Sequence, residues 1–150
     1  MIEPALRSAL RDVAGAMAQA EQHWWIIGSA AVALHGADPG TIADVDVLLA
    51  KSDLTKLARE LQLSGAPDAR KARFRSSGFG IWTQPALPVE FMADLELRRG
   101  GDWISISLQT RQEMTLCQQR LFVPEKHELI AILRRFGREK DLARAAALGG

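Results

Sequence analysis

The stretch WWIIGSAAVALHGADPGTIADVDVLLA, residues 24–50, decides how the rest of the chain is read. A short apolar run ends in Gly28-Ser29, a small-residue segment follows, and a second apolar run, Ala43 to Ala50, carries Asp44 and Asp46 inside it. Aspartate is among the residues least suited to a β-strand. Residues two apart in a strand share a face, so the two carboxylates project side by side while Val45 and Val47 point the other way. Carboxylates placed this way repel each other unless a cation lies between them. A divalent cation removes the conflict, and Mg²⁺ is commonly held by one or two carboxylates together with substrate phosphates. The same pattern also suits an edge strand with a solvated face, where acids discourage aggregation.

Working outward, Trp24–Ile27 reads as a buried strand, with Ser29 as N-cap of a helix Ala30–His35 that Gly36 stops. "ADPG" is a turn, and Ser52 caps a helix over Asp53–Gln62. Upstream, Pro4 opens an amphipathic helix in which Leu6, Leu10, Val13 and Met17 recur at helical spacing as far as about Glu21. Downstream the period changes to that of strands, over Ala72–Ser76, Phe79–Thr83, Leu87–Met92 and Trp103–Leu108. A polar stretch then leads to "LFVP", a strand end or extended link. From Pro124 a helix places Leu129, Ile130, Ile132, Leu133 and Phe136 on one side and closes at Gly137, and a last helix covers Glu139–Leu148. The order predicts an α+β (α/β) fold in one domain, residues 1–150. Its core, about 22–110, is a mixed β-sheet flanked by helices, and residues 124–148 form a C-terminal helical pair.

With 47% hydrophobic and 25% charged residues, the composition is that of a soluble globular protein. The net charge of +1 supplies no overall field for nucleic acid or membrane. Positive charge is concentrated at Arg70, Lys71, Arg73 and Arg75, a cluster able to steer a polyanion, tRNA included, although only Phe74 interleaves it. The single cysteine, Cys117, forms no internal disulfide, which fits a reducing, cytoplasmic location. Arg7, Arg11 and Asp12 interrupt the N-terminal segment, so it does not read as a signal peptide. The longest uncharged run, Gln22–Ala37, is too short to span a bilayer. His23, His127 and Cys117 lack zinc-ligand spacing. Cys117 reads as a buried small hydrophobe, and His35 as a helix-end residue beside unpaired carbonyls.

Gly28-Ser29 at a strand–helix junction offers backbone N–H groups to an anion such as phosphate. No Gly-Lys-Ser/Thr follows it, and the Gly-x-Gly-x-x-Gly spacing is absent. In "LPVEFMAD", Glu90 sits between Val89 and Phe91, again an acid in an apolar strand. If that strand lies beside the first, Glu90 completes a three-carboxylate cluster. Asp94 and Glu96 are the alternatives for that third acid.

Together, "IIGSAAVALHG…DVDVLL" and "LFVPEKHELIAILRRFGREKDLARAAAL" resemble the nucleotidyltransferase (polymerase-β-like) superfamily, and within it the small bacterial proteins related to abortive-infection toxins and antibiotic nucleotidyltransferases. The resemblance implies the nucleotidyltransferase fold and transfer of a nucleoside monophosphate from a nucleoside triphosphate to an acceptor hydroxyl. The acceptor would be a small molecule, a protein or tRNA. By position, Asp44, Asp46 and Glu90 would be the catalytic acids and hold Mg²⁺ or Mn²⁺, while Gly28, Ser29 and Lys140 would bind the nucleotide. Pro39-Gly40-Thr41 stands where such relatives often carry an Arg, and Glu90 where Asp is commoner. The alternative is therefore an inactive protein on the same fold, acting as a toxin–antitoxin component with a protein partner or as a nucleotide-binding regulator.

Replacing either aspartate isosterically, as Asp44→Asn or Asp46→Asn, is expected to leave the fold intact and abolish metal–nucleotide binding in calorimetric titration. Wild-type affinity in both variants would contradict the assignment.

Overall fold

The computed structural model describes residues 2–65 and 73–150. Its elements are α1 (Pro4–Met17), β1 (Trp25–Ile27), α2 (Gly28–Leu34), β2 (Val45–Leu48), α3 (Lys51–Leu61), β3 (Phe74–Arg75) and β4 (Gly78–Trp82). They continue with β5 (Val89–Ala93), β6 (Glu96–Arg99), β7 (Asp102–Ser105), β8 (Gln112–Leu116), β9 (Gln119–Val123), α4 (Lys126–Phe136) and α5 (Glu139–Ala147). This is the α+β arrangement with a mixed sheet that the sequence predicts. The principal sheet has the order β1-β2-β5-β4, with β2 and β5 parallel and the outer pairs antiparallel. A smaller sheet, β3-β6-β7, and a β8-β9 hairpin complete it.

The period of two in β2 and β5 sorts side chains between the sheet's faces. Val45, Val47, Val89, Phe91 and Ala93 are buried in the main core with Leu6, Leu10 and Val13 of α1 and Leu54 and Leu57 of α3. On the opposite face, Ile27 and Leu48 join Leu95, Leu97, Ile106 and, from α4, Ile132 and Phe136 in a second cluster. That cluster covers only part of its face and leaves Asp46 and Glu90 half-buried beside it. Among the described residues, no helix is long and apolar enough to cross a membrane.

Several local expectations are corrected. Helix α1 stops at Met17 rather than Glu21, because the backbone N–H groups of Glu21 and Gln22 donate to the buried Asp53 carboxylate at 3.0 and 3.1 Å. Neither Ser29 nor Ser52 is an N-cap: both lie inside helices whose caps are Ile27 and Ala50. The strand expected over Ala72–Ser76 is confined, among described residues, to Phe74–Arg75, and Arg70 and Lys71 lie outside the described residues. Two strands were not anticipated. Gly100-Gly101, both at positive φ, joins β6 to β7, and Cys117-Gln118, at φ 52° and 66°, joins β8 to β9. Positive φ at both central residues is the signature of a tight hairpin turn. Cys117 is consequently exposed at a turn tip, not buried.

Glu128 of α4 plays a part like that of Asp53. Its carboxylate accepts the Gln109 and Thr110 backbone N–H groups at 2.7 and 2.8 Å and the Thr110 hydroxyl at 2.5 Å, while Thr110 accepts the Glu125 N–H. The Thr110 carbonyl in turn accepts the Trp25 indole N–H at 2.9 Å. Desolvation opposes the charged form of Glu128, but these hydrogen bonds outweigh it and hold the carboxyl below its ordinary value. A folded-state pKa below the unfolded one contributes stability above the unfolded value, about 4.3, that is lost as pH falls through the folded value. Glu128→Gln should therefore melt below wild type at pH 7, with the gap closing as pH drops toward 3. A gap that stays constant across that range would contradict this role.

Candidate functional site

Asp46 of β2 lies opposite Ile27 of β1 on one side and in register with Glu90 of β5 on the other. Partners in a parallel ladder project from the same face, so the pairing brings the two acids together. Asp44 precedes the first residue of β2, two positions from Asp46, with the chain held there by Val45 N–H donating to the Pro88 carbonyl at 2.9 Å. The result is a cluster in which Asp44, Asp46 and Glu90 each offer a carboxylate oxygen within 4.8 Å of the others. At that distance and an effective dielectric of about 20, each pair of like charges repels by about 3.5 kcal/mol. A divalent cation held among the oxygens would offset that repulsion. Three hard oxygen donors on a partly open face fit Mg²⁺ or Mn²⁺ rather than a soft metal.

Gly28 closes the cluster from the β1 side. Its φ is +67°, and a Cβ placed on it would stand 3.0 Å from Asp46 Oδ2. Both the backbone conformation and the carboxylate's approach therefore require glycine. Ser29, the next residue, is buried at 7% exposure.

These residues line a cavity of about 630 Å³ that also takes in Lys140, Arg138 and Arg144 from the C-terminal helices. The sequence candidates Gly28, Ser29, Asp44, Asp46, Glu90 and Lys140 are thus all brought to one cavity. The alternatives for the third acid are not in the cluster. Asp94 accepts the Ser77 hydroxyl at 2.5 Å, and Glu96 pairs with Arg75 at 2.6 Å. His35 does have a structural role, although not through its own helix end: its Nε2–H donates to the Pro124 carbonyl at 2.8 Å and ties α2 to the start of α4. Two further arginines line the cavity: Arg138, which with Arg134 and Arg135 reads from sequence as part of a solvated helix face, and Arg144, which escaped the sequence reading. Arg138 clamps the buried Asp141 through Nε and Nη2 at 2.6 and 3.0 Å, while the Asp141 carboxylate accepts the Arg138 backbone N–H at 3.2 Å at the start of α5. Arg144 donates to the carbonyls of Pro39 and Thr41 at 2.8 and 3.0 Å. The Arg144 contacts are invisible in sequence, because their partners are backbone atoms about a hundred residues away.

No protein-family model matches the sequence, and no curated protein matches it. Solved structures do. A Thermotoga maritima protein proposed to be a nucleotidyltransferase is 21% identical and superposes with a TM-score of 0.69 over 90% of this chain and 87% of that one. The antibiotic-resistance factor ANT(2'')-Ia in solution is 8% identical, with a TM-score of 0.62 over 98% of this chain and 84% of its own. The same factor in complex with adenylyl-2''-tobramycin gives a TM-score of 0.50 at 8% identity, over 95% and 96%. The likeness is one of fold: this chain has the nucleotidyltransferase fold.

Gly28→Ala tests the closure of the cluster. A left-handed backbone at a residue with a Cβ costs about 1–2 kcal/mol, and the added methyl must push Asp46 aside. The variant should lose that stability in denaturant titration and bind Mn²⁺ more weakly than wild type. Unchanged Mn²⁺ affinity would show that Gly28 serves the backbone alone.

Proposed function

We propose that this protein is a divalent-metal-dependent nucleotidyltransferase, moving a nucleoside monophosphate group from a nucleoside triphosphate to an acceptor hydroxyl. The convergence of Asp44, Asp46 and Glu90 beside Gly28, on a nucleotidyltransferase fold, carries this reading. The three carboxylates are the residues that would hold Mg²⁺ or Mn²⁺. When bound, such ions neutralise charge on the triphosphate and on the attacking and leaving oxygens of an in-line displacement.

The chain's own residues do the rest. Gly28, with no side chain, lets the triphosphate approach the β1–α2 junction, and Ser29 follows it there. Lys140 lies on the C-terminal side of the same cavity, where its ammonium group can meet phosphate oxygens. Glu90, at the β5 side of the cluster, would hold a metal ion or take the proton of the acceptor hydroxyl as its oxygen attacks the α-phosphorus and pyrophosphate leaves. The adenylylated tobramycin held by ANT(2'')-Ia favours a small hydroxylated molecule as the acceptor class to screen first. We assign the whole chain to one catalytic domain that works inside the cell.

Thermal melting with each of the four nucleoside triphosphates, with and without Mg²⁺ or Mn²⁺, tests the reading. A ligand at about 100 times its Kd stabilises the native state by about 2.7 kcal/mol. For a chain of this size that raises the melting temperature by about 5–11 °C. One nucleotide should give such a rise, only with metal, and Asp46→Asn should abolish it. No rise with any nucleotide and either metal would overturn the proposal in favour of an inactive scaffold.

A further inference from the structure

Asp44 differs from its two partners in how it is held. Asp46 and Glu90 sit in paired strands, but β2 begins at Val45, and residues 38–44 form neither helix nor strand. Within that loop, Gly40 N–H donates to Asp38 Oδ1 at 2.9 Å, a local turn, and Ile42 rests against the main core. Two hydrogen bonds tie the loop's backbone to the far end of the chain, at Pro39 and Thr41, and one guanidinium makes both. Arg144 of α5 donates through Nε at 2.8 Å and through Nη2 at 3.0 Å.

We propose that Arg144 is the positioning residue for Asp44, clasping the loop so that its carboxylate meets those of Asp46 and Glu90. The inference rests on the reading of that cluster as a metal site. Three observations support the role. Arg144 is half-buried, lines the same cavity as the cluster, and spends two donors on carbonyl oxygens rather than presenting them to the cavity. A planar fork of donors spans two carbonyls in a way that a single ammonium on a flexible stem does not. The clasp also links the C-terminal helices, which carry Lys140 and Arg138 into the cavity, to the N-terminal metal-ligand loop. Loss of a residue that orients a ligand in this way commonly weakens metal binding about 10–100-fold.

The test uses the full chain and two readouts, amide hydrogen exchange of residues 38–44 without metal and Mn²⁺ affinity by electron paramagnetic resonance. Arg144→Ala should speed exchange in 38–44 selectively and weaken Mn²⁺ binding by about 10-fold or more. Arg144→Lys should restore little of either, and it serves as the test variant if the alanine form does not fold. In an Asp44→Asn background, with the weak Mn²⁺ binding left to Asp46 and Glu90 read without nucleotide at raised Mn²⁺, Arg144→Ala should cause no further loss of affinity, because residues acting through one another are non-additive. Wild-type exchange in 38–44, or an equal Mn²⁺ loss with and without Asp44, would overturn the proposal. Weakened nucleotide binding with Mn²⁺ affinity intact would overturn it too, making Arg144 a phosphate contact. If wild type binds no Mn²⁺, the metal reading fails, and the exchange data alone still decide whether the clasp exists.

Discussion

The parallel register of β2 against β5 is the constraint on which the site depends. Val45, Asp46 and Val47 face Val89, Glu90 and Phe91 one for one. A slip of one residue would send the apolar side chains to the cavity and the acids into the core. The four apolar partners are fully buried, and each contributes about 1.5–3 kcal/mol relative to exposure. That burial fixes the register, and the register in turn brings Asp46 and Glu90 together.

Three loops around this sheet are captured in the same manner, each by a single charged side chain projecting from a helix onto backbone atoms. Asp53 of α3 takes the N–H groups of Glu21 and Gln22, Glu128 of α4 those of Gln109 and Thr110, and Arg144 of α5 the carbonyls of Pro39 and Thr41. The helices therefore do two jobs, packing their apolar sides on the sheet and satisfying the polar backbone of segments that have no ladder of their own. The loop held by Arg144 leads directly to Asp44, so the device reaches the site.

Much of this was legible in the sequence because it rests on local pattern. The period of two around Asp44 and Asp46, and the acid set between Val89 and Phe91, announced both strands and the side on which their carboxylates emerge. The 3.6 period of Leu129, Ile132, Leu133 and Phe136 announced α4. What sequence could not supply was the adjacency of β2 and β5, which pairs residues more than forty positions apart. It also hid the β8–β9 turn, since Cys117-Gln118 takes a conformation usually signalled by Asn-Gly. Expectations based on capping failed as well: Ser29 and Ser52 have the right chemistry, but α2 and α3 start earlier, at Gly28 and Lys51.

The most direct measurement is a crystal structure of the protein with MnCl2 and a non-hydrolysable nucleoside triphosphate, with the metal located by anomalous scattering. The account requires an anomalous peak among Asp44, Asp46 and Glu90, with the triphosphate against Gly28. Manganese bound elsewhere, or a nucleotide in the cavity with the three carboxylates turned away from it, would contradict the account.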